Sequence, residues 1–564
     1  RSVAQRWMAG MKLRDLVGQL VIASSYGEAP PKRSRAYREY VHAVRDLRVG
    51  GLIVVNRVQN GSVQAAEPYQ MATFLNQMQK LARVPLLIGG DFERGASMRV
   101  SGTVRYPHAM AYGAADDLEL TRALGADTAR EARALGVNWV FAPVADVNNN
   151  PDNPIINVRS FGEDPGRVAA HVRAFIEGAH SNPRTRVLVT AKHFPGHGDT
   201  TVDSHINLPQ LLGDRARLDA VELVPFRAAI ADGVDAVMTA HMAVPAVEQR
   251  AAPATVSEAV LTGLLRKELR YQGLIVTDAM DMQGLTKQFP AGEAAVRALE
   301  AGVDVLLMPP DPDAAVAAVM AAVKKGRLTV RRIHESAARV LAAKARIGLH
   351  RSRLVDLDAI SDQLDDAAAA ARAQRAAEAG VTLVRNTGNL VPVAEPDGAC
   401  LFVLSESRYG QQGRALVAEA RRIAPKLQAV LLDPAVPAGE MQEVLTRTSA
   451  CRHAIVAAFV SVAAYRGDVA LAANFTPLMA GLMTRGAPVT LVSLGSPYLL
   501  RSFPDVAAYM ATFSTATTSE VAAARALFGR VPIRGKMPVS IPGLARPGDG
   551  IALPGTVEQT SAAR

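Results

Sequence analysis

The chain has 564 residues, 49% of them apolar and 21% charged, which supports sizeable cores and excludes wholesale disorder. At about 150 residues per domain the length allows up to four units, although a barrel absorbs about 250 alone, so two large domains is the simplest division. The formal net charge is +10, yet the basic residues are scattered and mostly Arg, without interleaved aromatics or a recognisable module. Such a charge favours anionic partners without specifying one, and nucleic acid is not expected.

The longest apolar stretches, such as His453 to Tyr465, fall short of the roughly 20 residues a membrane-spanning helix needs. Cys400 and Cys451 stand outside any CxxC pair or His-rich spacing, so neither a disulfide framework nor a cysteine zinc site is expected. The sequence begins at Arg1 rather than Met, which leaves open an upstream signal or anchor.

In chain order, eight short apolar runs predict strands: Val17 to Ser24, Gly51 to Asn56, Pro85 to Asp91, Val137 to Asp146, Val187 to His193, Asp235 to His241, Gly273 to Asp278 and Val303 to Met308. Amphipathic helix patterns lie between them, among them Ala66 to Leu81, Leu118 to Leu135, Pro165 to Gly178, Asp214 to Asp232 and Ser257 to Arg270. The strands are continuous apolar runs rather than alternating ones, as in a parallel sheet buried on both faces. Most end in a polar residue: Asn56, Asp91, Asp146, Lys192 with His193, His241 and Asp278. In a closed (β/α)8 barrel the carboxyl ends of the strands are where reactive residues gather. An open doubly wound sheet competes, but eight consecutive units with polar ends favour closure.

The fold class expected is therefore α/β, an N-terminal (β/α)8 TIM-like barrel over residues 1–350, then a helical linker over 351–375 and a C-terminal three-layer α/β sandwich over 376–564. The second series of strand candidates is Gly380 to Asn386, Ala399 to Ser405, Gln428 to Asp433, His453 to Ser461, Pro488 to Gly495 and Val506 to Ser514. The Gly- and Pro-punctuated stretch Gly529 to Gly543 reads as an irregular tail with one short strand.

The densest chemistry lies in AKHFPGHGDTTVDSH, Ala191 to His205. A metal reading would take His193, His197, Asp203 and His205 as ligands, but no HExxH helix accompanies them. An acid/base reading needs only one imidazole oriented by one carboxylate, which Asp203 and His205 supply two residues apart. The GHG run lacks the spacings of a phosphate cradle, and its glycines suit a loop that closes over substrate.

The run KHFPGHGDTTVDSH closely resembles the signature of glycoside hydrolase family 3 β-N-acetylglucosaminidases of the bacterial peptidoglycan-recycling, two-domain type. An upstream NVRSFGEDP (Asn157 to Pro165) and a strand ending GLIVTDAMDMQGL (Gly273 to Leu285) fit the same pattern in the same order. The resemblance implies Asp278 as nucleophile, His205 as general acid/base and Asp203 as the group orienting its imidazole. Sugar-binding roles fall on Asp91, Arg99, Arg159, Lys192 and His193. DFERGASMR (Asp91 to Arg99) departs from the commoner Asp-Gln-Glu-Gly-Gly-Arg run, because Arg94 and Ala96 do not match, although Asp91 and Arg99 keep their spacing.

The implied activity is a retaining exo-β-N-acetylglucosaminidase that removes terminal GlcNAc from muropeptides or chitin-like oligosaccharides, without metal or organic cofactor. A β-glucosidase or a phosphorylase is the alternative within the family, and a non-catalytic sugar-binding protein the alternative outside it. Intact Asp278, Asp203 and His205 argue against the last. The partner expected is a small oligosaccharide or muropeptide, and an extracytoplasmic bacterial location, periplasmic or secreted, is expected over a cytoplasmic one. Oligomeric state is left open. His197 is expected to shape the loop, His241 to make a structural hydrogen bond or touch substrate, Asp281 to cap or form an ion pair, and Met280 and Met282 to fill space. No residue between Gly380 and Gly543 is expected to complete the site.

Overall fold

The computed structural model describes residues 2–59 and 62–556. Its larger sheet has eight strands: β1 (Val21–Ser25), β2 (Gly51–Val54), β3 (Leu87–Gly90), β4 (Trp139–Val140), β5 (Leu188–Phe194), β6 (Ala236–Thr239), β7 (Leu274–Thr277) and β8 (Leu306–Leu307). They pair in parallel in the order β8-β1-β2-β3-β4-β5-β6-β7. A parallel bridge from Val276 to Val305, with the Thr277 N–H donating to the Val305 carbonyl at 3.0 Å, joins the two ends. All eight expected strands are present and the closed barrel prevails over the open sheet. A closed sheet leaves no unpaired edge, and its strands are buried on both faces, which is why they read as unbroken apolar runs.

Several elements are shorter or more broken than their sequence pattern. The run from Val137 to Asp146 forms only two residues of ladder, because Pro143 has no N–H to donate, and pairing resumes only as a bridge from Val144 to Lys192. The helical pattern Asp214 to Asp232 splits into Arg215–Ala220 and Leu223–Ala231. At the break Glu222 packs against Gly196 so closely that a Cβ on Gly196 would lie 2.8 Å from the Glu222 Cβ. The pattern Ser257 to Arg270 is wound as a π-helix over Ala259–Glu268. Other helices keep their expected ends for local reasons. Leu118–Leu135 is capped by the Asp117 carboxylate and stops at Gly136 (φ 88°), and Pro165–His180 opens on Asp164 and Pro165.

The second sheet comprises β9 (Thr382–Asn386), β10 (Ala399–Leu404), β11 (Gln428–Leu432), β12 (His453–Val460), β13 (Val489–Gly495) and β14 (Ala508–Ala511), in the order β9-β14-β13-β12-β10-β11. Only β9 runs antiparallel to its neighbour. Separate apolar clusters cover its two faces, giving the three layers expected. One of them takes in Met110, Ala111, Ala114 and Val158 from the barrel side, so the two units share a core. Polar links reinforce it: Asn148 Nδ2 donates to Tyr498 Oη at 2.9 Å, and the Ser540 N–H donates to Glu163 at 2.7 Å. The Ala-rich segment before the second sheet forms the helix Ala367–Gly380, whose Arg372 clasps Asp127 of the barrel at 2.6 and 3.0 Å.

Two expectations are corrected. Cys400 and Cys451 are joined in a disulfide, with Cα atoms 5.8 Å apart. The parallel pairing of Ala399 with His453 and Cys400 with Ala454 brings the two ends together across 51 residues, a juxtaposition that spacing alone does not reveal. The tail Gly529 to Gly543 contains no strand, only isolated bridges from Ile533 to Leu553 and from Ile541 to Ala545. Among the described residues no helix is long and apolar enough to cross a membrane.

Candidate active site

The carboxyl ends of β3, β4, β5 and β7 and the loops after them bring all eight expected site residues to one mouth of the barrel. Lys192 and His193 are consecutive, so in a regular strand their side chains would point to opposite faces. The pairing of β5 with β6 skips one residue, running from Lys192 opposite Met238 to Phe194 opposite Thr239, and this bulge lets both turn inward.

Lys192 is buried and its ammonium sits 3.1 Å from Asp91 Oδ1 and 2.8 Å from Glu93 Oε1. Asp91 Oδ2 accepts from Arg99 Nη2 at 2.9 Å, and Glu93 accepts from Arg159 through both oxygens at 2.7 and 3.0 Å. This chain of alternating charges favours the ionised forms of Asp91, Glu93, Lys192 and Arg159. Burial alone would push the Asp91 carboxyl up, but Lys192 and Arg99 hold it down at about 2. Burial likewise opposes ionisation of Glu93, and Arg159 and Lys192 hold it well below its ordinary value. Lys192 is raised, against its own desolvation, by Glu93 and Asp91.

The buried Asp146 carboxylate orients His193. Its Oδ2 accepts the Nδ1–H at 2.8 Å, and its Oδ1 accepts the backbone N–H groups of His193 and His197 at 3.1 and 2.7 Å. The other ring nitrogen of His193 then faces the mouth, 3.5 Å from Arg159 Nη2 and 3.9 Å from Asp278 Oδ2. Asp278, the residue after β7, accepts the Ala279 N–H at 2.8 Å. Burial raises its pKa, but His193, His241 and His205 together with that N–H bring it below the ordinary carboxylate value, so it stands ionised.

Opposite lies the Asp203–His205 pair. Asp203 Oδ1 accepts both the backbone N–H of His205, at 2.9 Å, and its ring Nδ1–H, at 2.7 Å. With Nδ1 committed to a carboxylate, Nε2 is the nitrogen free to exchange a proton at the mouth. Asp203 is lowered despite burial, chiefly by His205. The loop is tied to the one after β7, since the Gly284 N–H donates to the Ser204 carbonyl at 3.0 Å.

The other residues of the motif are occupied. His197 spends Nδ1 on Thr200 Oγ1 (2.8 Å) and Nε2 on Ser204 Oγ (3.0 Å), so it shapes the loop and supplies no metal ligand. Burial pushes its pKa down to about 4. His241 is likewise structural, bonded to Thr255 Oγ1 at 2.7 Å and to the Ala279 carbonyl at 2.9 Å, where it steadies the residue next to Asp278. Met280 and Met282 are buried as packing. Asp281 is exposed.

Three residues escaped the sequence reading. Asp146 was visible as a polar strand end, but its partners were not. Glu93 lies within the departing DFERGASMR run, and only the fold shows that it neutralises two cations at once. Tyr465, in the loop after β12, donates its backbone N–H to Asp203 Oδ2 at 2.9 Å and sets its ring edgewise on His205, centroids 5.1 Å apart. The second unit, in which the sequence singles out no residue to complete the site, thus reaches it through Tyr465. No local signal marks Tyr465, because the contact spans 262 residues.

The profile of the glycosyl hydrolase family 3 N terminal domain matches residues 12–343. A β-N-acetylglucosaminidase/β-glucosidase from Cellulomonas fimi is 29% identical over 551 residues, covering 94% of both chains. Beta-hexosaminidase A from Pseudoalteromonas piscicida is 38% identical over 286 residues, covering 46% of this chain and 45% of its own. The solved structure of a glycoside hydrolase family 3 β-N-acetylglucosaminidase from Paenibacillus sp. str. FPU-7 superposes with a TM-score of 0.83 at 33% identity, covering 94% of this chain and 99% of that one. These likenesses place the closed parallel barrel, with carboxylates and imidazoles at its mouth and a second α/β unit behind it, among sugar-bond-cleaving enzymes. The chain belongs to glycosyl hydrolase family 3 and is a glycoside hydrolase.

Proposed function

We propose that the enzyme is a retaining exo-β-N-acetylglucosaminidase acting on muropeptides or chitin-like oligosaccharides. The observation that carries this reading is the pairing, at one mouth, of an ionised and otherwise lightly held Asp278 with a carboxylate-oriented His205. The names of the relatives, β-N-acetylglucosaminidase and β-hexosaminidase, support the acetamido sugar.

In the first step an Asp278 oxygen bonds to the anomeric carbon as the glycosidic C–O bond breaks, and His205 Nε2–H protonates the departing oxygen. In the second, the now neutral His205 takes a proton from water, whose oxygen displaces Asp278 from the anomeric carbon and restores both groups. Asp203 stabilises the imidazolium form and fixes its tautomer without itself taking the proton. Asp91, Arg99, Arg159, Lys192 and His193 offer fixed acceptors and donors for the hydroxyls of a terminal pyranose, and their interlocking charges keep the pocket in one arrangement before substrate arrives.

A second reading, β-glucosidase, draws on the paired activities in the name of the Cellulomonas fimi relative. Release of p-nitrophenol from the β-N-acetylglucosaminide and the β-glucoside, each with and without phosphate, tests both. Turnover of the acetamido substrate alone, indifferent to phosphate, is the expected result. Comparable turnover of both sugars favours the second reading, stimulation by phosphate shifts the reaction to phosphorolysis, and no turnover of either sinks the proposal.

A further inference from the structure

We infer that the segment 461–467 of the second unit forms the leaving-group side of the site, and that the Tyr465 ring is the surface on which a pyranose aglycone stacks. This rests on the assignment of His205 as the proton donor.

The segment leaves the end of β12 and crosses the barrel mouth between two anchors. At one end Val462 packs on the apolar group Val144, Ile155 and Ile156, on the loop that carries Arg159. At the other, the Tyr465 N–H grips Asp203 Oδ2 at 2.9 Å, and the next glycine lies close enough to the His205 loop that a Cβ on Gly467 would sit 3.3 Å from Ile206 Cδ1. Tyr465 has φ of 66° and Gly467 φ of 78°, a backbone course that turns the chain sharply over the loop.

The segment is braced from behind by Glu406. Its carboxylate accepts from the Ser461 N–H at 2.9 Å, from Gln412 Nε2 at 2.8 Å and from Arg466 Nη1 at 2.8 Å. Burial would raise the Glu406 carboxyl, and these donors, with the Ser461 hydroxyl, hold it below its ordinary value, so the brace is charged. The backbone that carries the Tyr465 ring is thus held in place from two sides.

Among the described residues the His205 imidazole is the one aromatic ring that meets that of Tyr465. The two rings meet at 63° with centroids 5.1 Å apart, yet Tyr465 remains 56% exposed. Its phenol is raised first by burial and then by Asp281, Asp203 and Asp278, which sets the hydroxyl within the field of the carboxylates around the mouth. His205 Nε2 must reach the glycosidic oxygen, so whatever lies beyond that oxygen lies beside His205, where the free face of this ring stands. A half-exposed aromatic face fixed beside a proton donor suits the apolar C–H face of a second sugar. The ring therefore reads the aglycone, while the barrel residues read the terminal sugar.

Kinetics on two substrates that share the terminal sugar test this. N,N′-diacetylchitobiose places a pyranose in the leaving position, whereas β-N-acetylglucosaminyl fluoride places a single atom there. The Tyr465→Gly variant keeps the backbone N–H to Asp203 and tolerates the positive φ, while removing the ring. We expect the ratio of kcat/KM for the disaccharide to that for the fluoride to fall about tenfold in Tyr465→Gly, mostly through KM, and to stay within about twofold of wild type in Tyr465→Phe. An unchanged ratio in Tyr465→Gly overturns the inference, as does a tenfold fall in Tyr465→Phe, which would assign the effect to the hydroxyl. If wild type turns over neither substrate, the proposed function itself fails, an outcome separate from a wild-type enzyme whose ratio ignores the ring.

Discussion

The two sides of the barrel mouth are built on different principles. The side proposed to hold the terminal sugar is a chain of alternating charges at and just beyond strand ends, Arg99, Asp91, Lys192, Glu93 and Arg159 in unbroken succession, with every group paired by another of the same unit. The side proposed for proton transfer is a loop, and its carboxylate is satisfied from two directions: His205 on one oxygen, the second unit's Tyr465 on the other. Under the proposed function, strand ends would give fixed positions for recognising a rigid sugar, whereas a loop shared between units would let the leaving-group region vary without disturbing the pocket. Asp278 stands between the two, in the field of His193 from one side and His205 from the other.

The largest expected effect breaks both sides at once. Asp278→Asn removes the attacking carboxylate with almost no change of shape, and kcat on the acetamido aryl glycoside should fall by at least about 10³-fold, roughly 4 kcal/mol of barrel-mouth chemistry. Equal rates in variant and wild type would remove Asp278 from the role proposed for it.

Next in size is the loop side. His205→Ala should lose about 10²- to 10⁴-fold on chitobiose, whose leaving oxygen needs a proton. It should lose far less in the bond-breaking step on an activated aryl glycoside, which can be followed as a burst of released phenol. A loss of the same size on both substrates counts against His205 as the proton donor.

Much of this arrangement was legible in the sequence. The eight strands announced themselves as apolar runs, and their terminal Asp, Lys and His residues marked the active end, because burial on both faces leaves polar side chains nowhere else to go. The run from Lys192 to His205 also carried its own internal chemistry, since Asp203 and His205 bond across two residues. What stayed hidden was non-local. Glu93 gains its meaning from Arg159, 66 residues away along the chain, and from Lys192 farther on, Asp146 from partners 47 and 51 residues away, Tyr465 from one 262 residues away, and the cysteines from a strand register. Helix breaks at Val221 and the π-wound segment after Ser257 were equally invisible, being set by tertiary packing rather than by local propensity.

A smaller effect sharpens the contrast on the strand side. Glu93→Gln leaves Lys192 and Arg159, the first buried and the second mostly so, without their shared anion. Breaking such a pair costs about 3 kcal/mol or more, because a charge is left in poor solvent. Urea unfolding should show a marked drop in the midpoint, together with a higher KM for the acetamido sugar. Tyr465→Gly, on the loop side, should leave the urea midpoint of the barrel nearly in place. If Glu93→Gln unfolds at the wild-type midpoint, the circuit is not what keeps the pocket fixed.

The smallest expected effect concerns acid. Asp91 and Glu93 both have pKa values depressed by folding, so each contributes stability that is fully present above its unfolded value near pH 4 and is lost as the pH falls through its folded value. For Asp91 that window runs from about pH 4 down to about 2. Its contribution is on the order of 1 to 2 kcal/mol, reduced from the full shift because the carboxylate is a quarter exposed and partly screened. Asp91→Asn removes this proton linkage, so the gap in urea midpoint between wild type and variant should be widest near pH 6 and close steadily below pH 4. A gap that stays constant from pH 6 to pH 2.5 would mean that the carboxylate is not ionised against Lys192 and Arg99 in the folded protein. The charge circuit would then have to be redrawn without it.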